Sequence, residues 1–158
     1  MPPTPLNRER AALERFTEEP RRFGGYRLAL GFPNSYEVGM SNLGFQSVYR
    51  LFNRVPDLSC ERFFCEEGQP AVTFETGTAL SEFGLLAWSL SWEMDIVNIL
   101  RTLKAAGIPA RREQRDERHP LILVGGDIAR MNPAALAPFV DVFALGDGER
   151  LVPRIALP

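Results

Sequence analysis

The chain has 158 residues, 45% hydrophobic and 24% charged, enough for one domain with its own core. Lys+Arg 18 against Asp+Glu 20 leaves a net charge of −2, which gives nucleic acid no basic footprint. No window nears the roughly 20 apolar residues of a membrane span, and the Pro-rich start lacks a signal-peptide apolar region.

Two cysteines, Cys60 and Cys65, in a core-rich sequence point to a reducing cytoplasm rather than a disulfide framework.

Taken in order, residues 1–5 carry three prolines and read as an irregular tail. Residues 6–19 place Leu6, Leu13 and Phe16 among charges, which predicts a short amphipathic helix stopped by Pro20. Arg21-Arg22 with Gly24-Gly25 reads as a turn with solvated arginines. Residues 1–25 are thus an N-terminal extension, and residues 26–158 the main domain.

Residues 26–32 (YRLALGF) form the first expected strand. Residues 33–42 follow as a loop of turn formers and small polar side chains, among them Ser35, Glu37, Gly39 and Ser41. Residues 43–55 put Leu43, Phe45, Val48, Leu51 and Phe52 at helical spacing, with Ser41 or Asn42 as N-cap. The glycines do not spell G-x-G-x-x-G, and G-K-[ST] is absent, so neither a dinucleotide fingerprint nor a phosphate loop is supported. Residues 58–64 (LSCERFF) make a second strand, with Cys60 as a small buried hydrophobe. Residues 65–70 are a loop, 72–74 a short extra strand and 76–78 a turn.

The apolar run 85–91 (LLAWSLS) reads as a strand buried on both faces and ends on Ser89 and Ser91. Residues 93–106 form a helix closed by Gly107 and Pro109, and the charged stretch 111–119 faces solvent. Residues 121–124 (LILV) end on Gly125-Gly126-Asp127. A helical patch over 132–139 leads to a second apolar run, 140–145, which ends on Gly146-Asp147-Gly148-Glu149. Two strands joined by a helix-length connection must be parallel. The whole alternation predicts a Rossmann-like three-layer α/β/α sandwich on a mostly parallel sheet. Ligands of such sheets sit outside the carboxyl ends of the strands, where glycines let a bound group approach the backbone.

The candidate chemistry is sparse. His119, the one histidine, precedes the strand at 121 and so lies at the amino edge, about 15 Å from the glycine edge. Glu37, Glu93, Asp127, Asp147 and Glu149 fall near the carboxyl edge, where helix N-termini favour carboxylates for structural reasons. Capping outweighs catalysis for them. Trp88 reads as core, and Trp92 as a side chain free to line a pocket. No third cysteine completes a metal or cluster site, and no nucleophile–histidine pair can be assembled, so neither catalytic nor metal-binding residues are assigned.

The ordered set LALGF, YEVGMS, SNLGFQSVYRLF, LLAWSLSWEMDIVNILRTLKAAGIP, ILVGG and FALGDGE resembles the cobalamin-binding-type domain at the front of many radical SAM proteins. The resemblance runs from about Tyr26 to Glu149. It implies a Rossmann-like domain whose carboxyl edge faces either a cobalamin or the catalytic barrel. Three departures stand out. The loop 33–42 has no histidine, so the cobalt-coordinating D-x-H-x-x-G is absent. Gly125-Gly126-Asp127-Ile128 stands where relatives often carry Gly-Gly-Pro-His. The cluster motif Cys-x₃-Cys-x₂-Cys does not occur in the 158 residues, so a [4Fe-4S] cluster and S-adenosylmethionine (SAM) cleavage would need a downstream domain.

The expectation is a non-catalytic accessory domain that positions a corrinoid or packs on a radical SAM barrel, in cis or in trans. The alternative is a stand-alone interaction module without a cofactor. A corrinoid held without histidine would draw on Ser35, Glu37, Gly39, Ser41, Ser89, Ser91, Gly125, Gly126, Asp127, Gly146, Asp147, Gly148 and Glu149. An exposed contact patch would draw on Phe32, Met40, Trp92 and Met131.

Overall fold

A computed structural model describes residues 2–16 and 25–155. Residues 21–24 of the turn expected over 21–25, and the C-terminal part of the helix expected over 6–19, lie outside these residues.

The first helix, α1 (Pro5–Leu13), starts where Thr4 Oγ1 accepts the Asn7 N–H at 3.2 Å and Pro5 supplies a pre-set first turn. It ends at Leu13 because Glu14 turns extended and its carboxylate reaches the guanidinium of Arg62.

Five strands follow: β1 (Tyr26–Phe32), β2 (Leu58–Phe64), β3 (Leu85–Ser89), β4 (Leu121–Gly125) and β5 (Val142–Ala144). All pair in parallel, in the order β2-β1-β3-β4-β5. The expected parallel α/β sheet is therefore present. Strand order reverses between β1 and β3, and the crevice at such a switch point is the usual ligand position in open α/β sheets.

Side chains alternate across the sheet with period two. Leu28, Leu30, Ala87 and Leu123 face a layer made by α3 (Leu43–Arg54) and α7 (Gly148–Ile155), whose Phe45, Tyr49, Phe52 and Val152 close the core. Ala29, Leu86, Trp88, Ile122 and Val124 face the other way, toward Ile99 and Leu103 of α4 (Ile96–Ala105). Phe45, Tyr49 and Phe52 recur at helical spacing and are all buried, so one stripe of α3 meets the sheet. Each fully buried Phe or Leu contributes about 1.5–3 kcal/mol.

Several expected boundaries move, each for a local reason. Residues 36–41 are not loop but a helix, α2 (Tyr36–Ser41), because Ser35 Oγ accepts the Val38 N–H at 3.5 Å and Gly39 closes against Phe64. Asn42 caps α3, accepting from Phe45 N at 2.9 Å. The third strand stops at Ser89, and the Leu90 N–H just beyond it still donates to the Gly125 carbonyl of β4 at 2.9 Å.

Of the helix expected over 132–139 only α6 (Pro133–Leu136) is helical, and another short helix that was not expected, α5 (Asp127–Met131), precedes it. Pro133 disfavours helical backbone at Asn132, which sits at φ −142°, ψ 63°. The extra strand at 72–74 reduces to one antiparallel bridge, Val72 with Ala79. Within the charged stretch 111–119, Arg115 departs from the solvent-facing expectation. It is buried and donates to the carbonyls of Pro109, Ala110 and Phe139 and to Asp141. Among the described residues no helix is long and apolar enough to cross a membrane.

Candidate functional site: a slot at the carboxyl edge

The loops leaving β1, β3, β4 and β5 enclose a slot of about 370 Å³ between the sheet and helices α3 and α7. Its floor is apolar: Leu30, Ala87 and Leu123 from three strands, and Phe52, Val152 and Ile155 from the helices. Its mouth carries Asn42, Ser89, Ser91 and Asp127, with Asn42 Nδ2 at 3.5 Å from Ser91 Oγ. Asp127 is the one charge among the lining residues, and it lies 3.7 Å from Arg130. Among the described residues no lysine or arginine lines the slot, so these residues offer no counter-charge to a phosphate. The slot is thus apolar at its floor and polar at its mouth.

A family comparison bears on this site. The model for the N-terminal region of radical SAM proteins matches residues 44–157, well over half of the chain. The chain belongs to that family. The match spans α3, the sheet from β2 onward and α7, and hence most of the slot. Comparisons with curated proteins and with solved structures gave no match.

In this radical SAM N-terminal domain the expected site residues separate into two groups. Ser89, Ser91, Gly125, Gly126, Asp127, Gly146 and Gly148 line the slot together. Ser35, Glu37, Gly39 and Ser41 do not; they belong to α2 and its cap. Ser41 Oγ donates to the Val38 carbonyl at 2.8 Å, and Glu37 pairs with Arg10. A hydrogen bond from its own backbone N–H, with Arg10 second, holds the Glu37 carboxyl below the usual range. Asp147 and Glu149 are exposed outside the slot, where the Asp147 carbonyl accepts from Arg150 and Leu151 to open α7.

The glycines differ in meaning. A Cβ on Gly126, at φ +102°, would meet the Leu90 carbonyl oxygen at 2.4 Å, so close backbone packing alone accounts for it. A Cβ on Gly125 or Gly146 would meet its nearest neighbour at ordinary contact, 3.4 and 3.5 Å. Those two leave space in the slot.

His119 is far from the slot residues in the fold, bonded to Asp116 at 2.8 Å ahead of β4. Cys60 is buried, and Cys65 lies 3.0 Å from Thr102 Oγ1. Among the described residues no three of His, Cys, Asp or Glu are grouped to hold a metal.

Outside the slot, the carboxyl edge carries exposed apolar side chains: Val38, Leu43, Trp92, Met94, Met131 and Leu145. Leu43 is 78% exposed, Met131 74% and Trp92 62%, whereas Tyr26, Leu121 and Val142 mark the amino ends. Of the expected patch, Trp92 and Met131 are exposed; Phe32 is buried under Phe45, and Met40 is half-buried. Leu43 was missed because it reads as one of the core-facing apolar residues of a helix, and Val38 because it stands in a stretch read as loop.

Proposed function

We propose that the carboxyl edge of this domain docks on the catalytic barrel of a radical SAM protein and covers it. The observation that carries this reading is the gathering of Leu43, Trp92, Met131 and Leu145, all more than half exposed, on the segments leaving β1, β3, β4 and β5. Membership of an N-terminal radical SAM family supports a radical SAM barrel as that partner.

Trp92 reports on docking directly, because Trp88 is buried at 1% exposure and contributes a constant background. Titrating a purified barrel into the domain should shift Trp92 emission to the blue. Leu43→Glu with Met131→Glu should weaken association at least about tenfold without lowering domain stability. Equal affinity in that double variant would contradict the reading.

The slot supports a second reading. A corrinoid could rest on the same edge with only the uncharged base of its tail in the slot and the tail's phosphate left in solvent, Ser89, Ser91 and Asn42 meeting polar atoms of that tail. Bound there, it would supply a cobalt centre able to carry an alkyl group. No histidine is present to ligate the cobalt, so affinity would rest on the slot. Ala87→Leu fills the floor and should abolish binding of hydroxocobalamin, while His119→Ala should not change it. Neither heat nor spectral change at high micromolar hydroxocobalamin would rule the reading out for this chain.

A further inference from the structure

Residues 5–16 precede the stretch that matches the family, yet they grip the carboxyl edge through charge. Arg10 donates Nη1 to both oxygens of Glu66 at 2.9 and 3.0 Å, and Nη2 to Glu37. Its guanidinium lies 4.7 Å from the ring centroid of Tyr36. Glu66 in turn accepts the Tyr36 backbone N–H at 2.8 Å. Glu14 takes the Tyr36 hydroxyl at 2.9 Å and the buried Arg62 guanidinium at 2.9 and 2.7 Å.

Tyr36 and Glu37 are the first two residues of α2, so the opening turn of that helix is held from outside by α1 and its tail. A six-residue helix does not hold itself in water. Its other anchors are the Ser35 cap, Gly39 against Phe64, the Tyr36 ring stacked on Phe74 at 5.1 Å and edge-on to Phe64 at 5.2 Å, and the Met40 carbonyl, which accepts from Gln46 Nε2.

We propose that residues 5–16 are a latch that fixes α2 and with it the β1 side of the docking edge. The idea rests on the docking reading for its consequence, since Val38 on α2 and Leu43 just beyond it belong to the exposed apolar edge. A latched α2 meets a partner already ordered, and docking then carries no entropy cost for that segment. Released, α2 would have to order on contact.

The test is hydrogen exchange on the intact protein without any barrel, which separates failure of the latch from failure of docking. Arg10→Gln removes both carboxylate contacts and leaves the Arg62–Glu14 pair in place. The amides of Gly39 and Asn42, donors to Ser35 and Gly39 carbonyls, should exchange about tenfold faster, the factor carried by one lost charge-assisted hydrogen bond. Amides of β1, β3 and β4 should keep their rates. Arg10→Lys, a point charge without the planar fork, should restore part of the protection. Unchanged exchange in α2 would overturn the latch. Acceleration of all strands together would overturn it too, since the segment would then be an ordinary part of the global fold.

Discussion

Gly125 and Gly126 are adjacent and should respond oppositely to a methyl group. Gly126→Ala drives its Cβ into the Leu90 carbonyl at a φ of +102°, and urea unfolding should show a loss of about 2–4 kcal/mol. Gly125→Ala meets only the Ala144 Cβ at 3.4 Å and should stay within about 1 kcal/mol. A ligand lost on substituting Gly126 would therefore say little about the slot; Ser89 and Ala87 are the informative positions.

The thiols give a second test at this scale. Burial pushes Cys65 from an ordinary value of 9.0 up to about 12, and Cys60 well above 9.0. Both hold their proton more tightly folded than unfolded. Their effect on stability is flat below the ordinary thiol value and turns unfavourable as pH rises through it, because only the unfolded chain gains thiolates there. Cys60 in the native protein at pH 8 should react slowly with a thiol reagent and become fast in urea, whereas Cys65 is only half-buried; fast native labelling of Cys60 would contradict the burial described.

At the scale of elements, Arg62 on β2 joins parts that are distant in sequence. It is 2% exposed, bonded to Glu75 and Glu14, and its guanidinium lies 4.6 Å from the Tyr49 ring and 4.8 Å from the Phe74 ring. Phe74 N–H and the Glu75 carboxylate also satisfy the Arg62 carbonyl and N–H, which blunts the outer edge of the sheet. Glu75→Gln should cost about 3–5 kcal/mol by leaving a desolvated charge half-compensated, measurable as a lower urea midpoint at unchanged slope.

Little of that hub is legible in the sequence. LSCERFF reads correctly as a strand from its apolar content, but nothing in it says that the Arg62 guanidinium is buried, or that its carboxylates come from 48 residues before and 13 after. The strands themselves are legible because buried parallel strands are runs of apolar residues, and four of the five ends fall within one residue of the pattern. Residue 36–41 reads as loop because a short capped helix has no apolar period to reveal it. The slot's rim is visible as glycines and serines at strand ends; its floor and its α7 wall are not, since they look like any other core.

On the whole molecule, exposure is polarised. The edge with the slot carries the most exposed strand-end apolar side chains, Leu43, Met131 and Trp92, and the opposite edge carries Tyr26, Leu121 and Val142 beside His119, Asp116 and Arg118, which pair with one another. A domain built to meet a barrel should be reactive on the first edge and silent on the second. Site-specific photo-crosslinking in the protein bearing both domains tests this most directly, with the photoreactive residue placed in turn at positions 43, 92, 131 and 117. Docking through the carboxyl edge predicts crosslinks from 43, 92 and 131 to peptides of the barrel that carries the three cluster cysteines, and none from 117. Crosslinks to the barrel from 117 alone, or none from the three edge positions, would contradict it.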